Sequence, residues 1–133
     1  SAASDVYKRQ WFNYLHVTCG DRTLLRRRGE GDIWQGLYEF PMIETDRAAD
    51  FSELTASEEF RTVLGGVEWR LLRSVAMPKH QLSHQTLHAV FHRIEISFPV
   101  DFPSVPTATL GDYAVPRLVD RYLMQAGSDD SSF

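Results

Sequence analysis

With one cysteine, Cys19, in 133 residues, the chain closes no internal disulfide and holds no iron–sulfur cluster by its own thiolates. A reducing, intracellular setting is the natural expectation, and Cys19 reads as a small strand residue. No apolar run approaches the ~20 residues of a membrane-spanning helix, and no signal-peptide pattern opens the sequence. A soluble chain with no membrane partner follows as an expectation. A basic excess is lacking too. The net charge of −4 argues against indiscriminate polyanion binding, whose affinity comes from neutralised phosphates. There are no internal repeats, no His-Glu-x-x-His pair and no Gly-x-Ser-x-Gly elbow.

What is present suffices for one globular domain: 43% of residues are hydrophobic and 12% aromatic, enough for a core. The charge is uneven. Counting Asp, Glu, Lys and Arg, residues 1–29 carry +4, 30–68 carry −8, 69–100 carry +3 and 101–133 carry −3. An anionic partner would have to meet the first and third segments together, which requires the fold to set them side by side. The plain alternative is a set of ordinary solvated charges.

Residues 1–10 lack periodicity and read as a linker or cloning remnant, 11–126 as the domain, and 127–133 as a disordered tail. Trp11–Thr18 alternates Trp11, Asn13, Leu15 and Val17 against Phe12, Tyr14, His16 and Thr18, both sets largely apolar, which predicts a strand covered on both faces. Cys19–Arg22 is a hairpin turn and Thr23–Arg28 the returning strand. After the break at Gly29–Asp32, Ile33–Pro41 is strand-like, and Thr45–Ala56 holds one or two helical turns. Ser57 caps a short helix with Glu58 and Glu59 in its first turn, a buried stripe of Phe60, Val63 and Leu64, and an end at Gly65-Gly66. Val67–Ala76 and Thr86–Phe98 are strands, Pro99–Pro106 an irregular connector, and Asp112–Gln125 contains a helix led by Pro116 with an apolar face of Leu118, Val119, Tyr122 and Leu123.

The polar hexapeptide Lys79-His80-Gln81-Leu82-Ser83-His84 sits between Met77-Pro78 and the longest β-favouring run. Cations, imidazoles, amide and hydroxyl at a strand mouth suit recognition. His80, His84, His88 and His92 recur at a spacing of four. On a helix they would share a face and a zinc ion. On a strand, His88 and His92 lie on the order of 13 Å apart, and the Val, Ile, Phe and Thr around them favour the strand, so no metal site is expected. Ser83 with His84 or His80 as a nucleophilic pair fails because adjacent side chains on extended backbone point apart. Arg26 and Arg28 share one side of their strand and either position phosphates or keep a solvated edge from aggregating.

Two motifs, Ile33-Trp34-Gln35-Gly36-Leu37-Tyr38-Glu39-Phe40-Pro41 and His80-Gln81-Leu82-Ser83-His84, together resemble the C-terminal domain of the A/G-specific adenine DNA glycosylases, the MutY family. That domain has the fold of the Nudix (MutT-like) hydrolases, and the likeness runs from about Trp11 to Leu123. Leu82 stands where the family usually has phenylalanine. The resemblance implies an α+β fold, a mixed β-sheet packed between helices as an α/β/α sandwich. Nudix hydrolases carry Gly-x5-Glu-x7-Arg-Glu-x-x-Glu-Glu, whose carboxylates bind magnesium. Counted from Gly36, Met42 falls on the first glutamate. Counted from Glu44, Ser52–Ser57 supplies one acid of three and no arginine. A divalent ion facing phosphate takes several hard oxygens, so pyrophosphate hydrolysis is not expected.

By resemblance, this is the noncatalytic lesion-reading part of a base-excision repair glycosylase, a hydrolase of N-glycosyl bonds whose catalytic domain and iron–sulfur cluster lie outside these residues. Its partners would be double-stranded DNA with 8-oxoguanine opposite adenine and that N-terminal domain. The chain itself would be a cofactor-free, DNA-associated cytoplasmic monomer of bacterial type. The lesion adds an acceptor at position 8 and turns N7 into a donor, and a serine hydroxyl at Ser83 can answer either. One such contact is worth roughly 1–3 kcal/mol of discrimination. Leu82, Ser83 and His84 would meet the base, with Lys79, His80, Gln81, Arg26 and Arg28 around it on DNA. The alternatives are a stand-alone Nudix-like hydrolase of oxidised nucleotides, or a protein-interaction module docking a basic partner on the acidic segment.

Overall fold

The computed structural model describes residues 8–29, 35–81 and 84–129. In chain order its elements are β1 (Lys8–Cys19), β2 (Arg22–Leu24), β3 (Arg26–Arg27), β4 (Tyr38–Glu39), β5 (Met42–Thr45), α1 (Phe51–Thr55), α2 (Glu58–Leu64), β6 (Trp69–Ala76), β7 (His80–Gln81), β8 (Gln85–Ile96), β9 (Ser104–Pro106), a 3₁₀ helix (Thr107–Asp112) and α3 (Arg117–Asp129). No described helix is long and apolar enough to cross a membrane.

The sheet is mixed and centred on two long strands, β1 and β8, which run parallel in unbroken register from Lys8↔Gln85 to Cys19↔Ile96. The strand order is β6-β8-β1-β2-β9, with β5 also antiparallel to β1 and β7 antiparallel to β8. β3 and β4 form a separate two-stranded piece. Strands buried on both faces need apolar residues in both alternating sets, and β1 and β8 have them. On one face Phe12, Tyr14, Leu87, Ala89 and Phe91 meet Leu118, Val119 and Tyr122 of α3. On the other, Leu15, Val17, Ile94 and Ile96 meet Leu54 of α1 and Phe60 and Leu64 of α2. The expected α/β/α sandwich is the one observed.

The first core is largely aromatic. The fully buried Phe91 lies between Tyr14, 4.7 Å away and 11° from parallel, and Tyr122, 4.0 Å away and 1° from parallel. Phe40 closes it edge-on to both Phe91 and Tyr122 at 6.2 Å. Such pairs add ~0.5–1.5 kcal/mol beyond area burial. On the second face, Ser57 accepts from the Phe60 N–H at 3.2 Å, the cap expected from sequence, and the Gly65 N–H closes the last turn on the Arg61 carbonyl.

Several boundaries differ from expectation. β1 begins at Lys8, inside the stretch read as linker, because its pairing with Gln85 and Thr86 extends the ladder backwards. The single strand expected over 23–28 divides: Arg22–Leu24 pairs with β1 and β9, whereas Arg26–Arg27 turns away to pair with Tyr38 and Glu39. Among the described residues of the strand-like 33–41 run, only Tyr38–Glu39 is strand. Gly36 takes φ +85°, and the Tyr38 N–H is bonded to the Ala114 carbonyl instead of a ladder partner. The connector 99–106 contributes β9, which pairs with β2. α3 continues to Asp129, into the stretch read as tail, since one glycine inside a helix costs only about 1 kcal/mol.

Candidate nucleic-acid interface

Strand β6 reaches the hexapeptide by way of Pro78, which has no N–H to offer β8. The Met77 N–H still bonds the Ala89 carbonyl at 2.9 Å, and pairing resumes at His80↔Leu87 and Gln81↔Thr86. Lys79 therefore leads into β7 and His84 stands just before β8, where the two strands pair antiparallel. Lys79, Gln81 and His84 are exposed and His80 is half-buried. Leu82 and Ser83 fall outside the described residues.

Parallel pairing brings the start of β1 to this same end, with Arg9 opposite Thr86 and Trp11 opposite His88. The first and third charge segments, both basic, thus stand side by side. The Trp11 and His88 rings stack at 4.3 Å, 7° from parallel. Partial burial, then the cations of Lys79 and Arg9, hold the His88 imidazole below its ordinary value, which favours its neutral form. Arg9, Trp11 and His88 were not among the site residues read from sequence. The charge count pointed to their segments, but only the strand register joins them.

The histidine ladder disperses. His88 and His92 both lie on β8, as the strand reading required, but His92 is buried, bonded through Nδ1 to Ser74 Oγ at 2.7 Å and 5.1 Å from the Phe51 ring. Burial pushes its imidazole down to about 4.

Arg26 and Arg28 are not brought to the hairpin. The Arg26 guanidinium lies 5.1 Å from the Phe102 ring centroid, beside a cavity of about 360 Å³ that Leu15 also lines. From Leu15 to Arg9 is on the order of 20 Å along the strand. Arg28 is ion-paired to the buried Glu39, so its charge is neutralised within the fold.

The acids that would serve a pyrophosphate centre are otherwise engaged. Glu53 takes Arg47 Nη2 at 2.7 Å and the Asp50 N–H at 3.1 Å, closing the first turn of α1. Those bonds, the hydrogen bond from Arg47 foremost, hold its carboxyl below the ordinary value. Glu44 accepts from Gln10 Nε2 at 2.5 Å. Both glutamates, with Asp46, Arg47 and Glu59, line a shallow cavity of about 430 Å³. Among the described residues no three His, Cys, Asp or Glu side chains converge as a metal site. The helix that would present several carboxylates on one face is broken at Ala56-Ser57 into two short pieces. This donor set does not fit a divalent ion bridging a pyrophosphate, which takes several convergent hard oxygens.

Residues 13–125 match the sequence profile described as NUDIX domain. Among solved structures, the chain is similar to the E. coli ORF135 protein, with TM-score 0.67, 14% identity, and 96% of each chain covered. It is similar also to the MutT protein of Methanosarcina mazei Go1, with TM-score 0.63, 14% identity, 92% of this chain and 94% of that one covered. A Nudix hydrolase from M. smegmatis, RenU, gives TM-score 0.59 at 10% identity, covering 90% and 87%. No curated protein matches the sequence.

Proposed function

The chain belongs to the NUDIX domain family, and we propose that it is a nonhydrolytic, DNA-reading member: the C-terminal domain of an A/G-specific adenine DNA glycosylase, recognising 8-oxoguanine opposite adenine. The observation that carries this reading is the engagement of the acids. Glu53, the one acid of three that Ser52–Ser57 supplies when the hydrolase signature is counted from Glu44, is tied to Arg47 and to the start of α1. Its carboxylate holds a helix turn together instead of facing a substrate.

Where β1 begins beside β8, the chemistry suits DNA. Lys79, His80 and His84 neighbour Ser83 in sequence, and Arg9 pairs with Thr86 at the start of β8. Cations there position phosphates without reading sequence, and the hydroxyl of Ser83 does the reading. Against 8-oxoguanine it donates to the new carbonyl or accepts from N7–H, whereas guanine offers only the N7 acceptor. Leu82 adds apolar contact beside it. Adenine removal belongs, on this reading, to a separate N-terminal domain with its own iron–sulfur cluster, and this chain supplies the lesion contacts.

A second reading, a stand-alone Nudix hydrolase of oxidised nucleotides, is favoured by what the similar structures are, a Nudix hydrolase and a MutT protein among them. It agrees with those neighbours better than the glycosylase reading does. Likeness at 10–14% identity carries the fold alone, and the arrangement of acids is what supports the first reading.

One pair of assays separates the readings. Incubation with 8-oxo-dGTP and magnesium gives no turnover on the DNA-reading proposal, and a duplex with 8-oxoguanine opposite adenine binds tighter than one with guanine opposite adenine. Magnesium-dependent turnover that disappears in Glu53→Ala or Glu44→Ala would put the hydrolase in its place.

A further inference from the structure

The Trp11–His88 stack has no role in either core. Both rings are half-buried and belong to neither apolar cluster, although tryptophan carries one of the largest apolar surfaces available to a sheet. They stand on the face that α1 and α2 cover only further along, where Phe51 of α1 reaches His92. Two cations stand near them. Arg9 and Lys79 are close enough to act on His88, both are exposed, and neither makes an ion pair among the described residues. Across from Trp11, β5 places Thr45, a short side chain that accepts from the Asn13 amide. Glu44, the neighbouring acid, pairs with Phe12 in the register and takes the amide of Gln10, on the opposite face of the sheet.

Two parallel π faces near two cations that make no ion pair among the described residues match the needs of a nucleic-acid strand: a flat base to stack and phosphates to neutralise. We propose that the Trp11–His88 stack is a platform for an unpaired base of a DNA strand, with Arg9 and Lys79 taking the phosphates on either side. The neutral imidazole of His88 keeps the stack a π surface, while the two cations supply the charge. Stacking of this kind tolerates any base, so the platform adds affinity independent of the lesion. This inference rests on the DNA-reading proposal for its partner, but it asks nothing of Ser83.

The test uses the full chain with a fluorescein-labelled deoxythymidine decamer at low salt, alongside the 8-oxoguanine·adenine and guanine·adenine duplexes. Trp11→Ala is expected to weaken decamer binding about tenfold, within the range for loss of one base–aromatic stack, and both duplexes by similar factors. Trp11→Phe keeps a ring and most of the affinity. Arg9→Gln, an exposed change that leaves the stack in place, weakens binding and flattens its salt dependence. A folded Trp11→Ala variant that binds the decamer like wild type overturns the platform, and so does a wild-type chain that does not bind the decamer at all. A loss confined to the lesion duplex also overturns it, because Trp11 would then be reading the lesion. If wild type binds both duplexes alike while Trp11→Ala still loses the decamer, the platform stands and lesion reading falls.

Discussion

Acid should destabilise this protein through a buried imidazole well before its carboxylates protonate. His16 is fully buried, stacked on Phe40 at 4.7 Å and bonded through Nδ1 to the Tyr122 hydroxyl at 2.7 Å. Burial first, then Arg93 of β8 and Arg73 of β6, push its imidazole down to about 3. Tyr122 of α3, pushed up to about 12 by its own burial, and Tyr14 beside it on β1, raised in the same way, stay neutral throughout. In the unfolded chain His16 titrates near 6.5, so below that pH the unfolded state binds one more proton than the folded state. Stability is therefore full above 6.5 and falls as pH drops toward about 3. The slope from this one group is about 1.4 kcal/mol per pH unit, or about 2 kcal/mol lost by pH 5. His92, pushed down to about 4, acts in the same direction. Urea unfolding followed by tryptophan fluorescence at pH 7, 6 and 5 measures the slope, and His16→Gln removes about one proton's share of it. Equal stability at pH 7 and pH 5 in wild type would refute the reasoning.

Two further outcomes follow from the same geometry. Lys79→Ala should weaken binding to lesion and undamaged duplexes about equally and lower the salt-dependence slope by about 0.9, as loss of one phosphate contact does; a lesion-selective loss would place Lys79 on the base instead. Zinc should leave the melting temperature unchanged, because His88 stacks on Trp11 while His92 is bonded to Ser74; a stoichiometric rise reversed by chelator would restore the histidine ladder as a metal site.

Much of the fold was legible because its determinants are local. The alternating apolar sets of β1 named the right residues for each face, and Ser57 and Gly65 bounded α2 where their capping chemistry puts them. The want of a carboxylate series could be counted directly, and Glu53 then proved to be engaged in the cap of α1. What stayed hidden is non-local. The division of Thr23–Arg28 depends on which strands compete for it, and no local propensity encodes that Arg26 turns to Glu39 while Leu24 stays with Ser104. Arg28 looked like a free phosphate donor because its partner Glu39 is eleven residues on. The meeting of Trp11 with His88 follows only from the parallel register of β1 and β8, which joins segments more than seventy residues apart. The hexapeptide, by contrast, announced itself by composition, and the fold sets its described residues near the start of β8, beside the start of β1.

The measurement that bears most directly on function is the effect of Ser83→Ala on discrimination between duplexes carrying 8-oxoguanine and guanine opposite adenine. In a competition titration at low salt, the variant should lose about five- to thirty-fold in affinity for the lesion duplex, equivalent to 1–2 kcal/mol for one neutral hydrogen bond, and little for the undamaged one. Equal losses on both duplexes with the fold intact, or no loss on either, would contradict lesion reading by this hairpin.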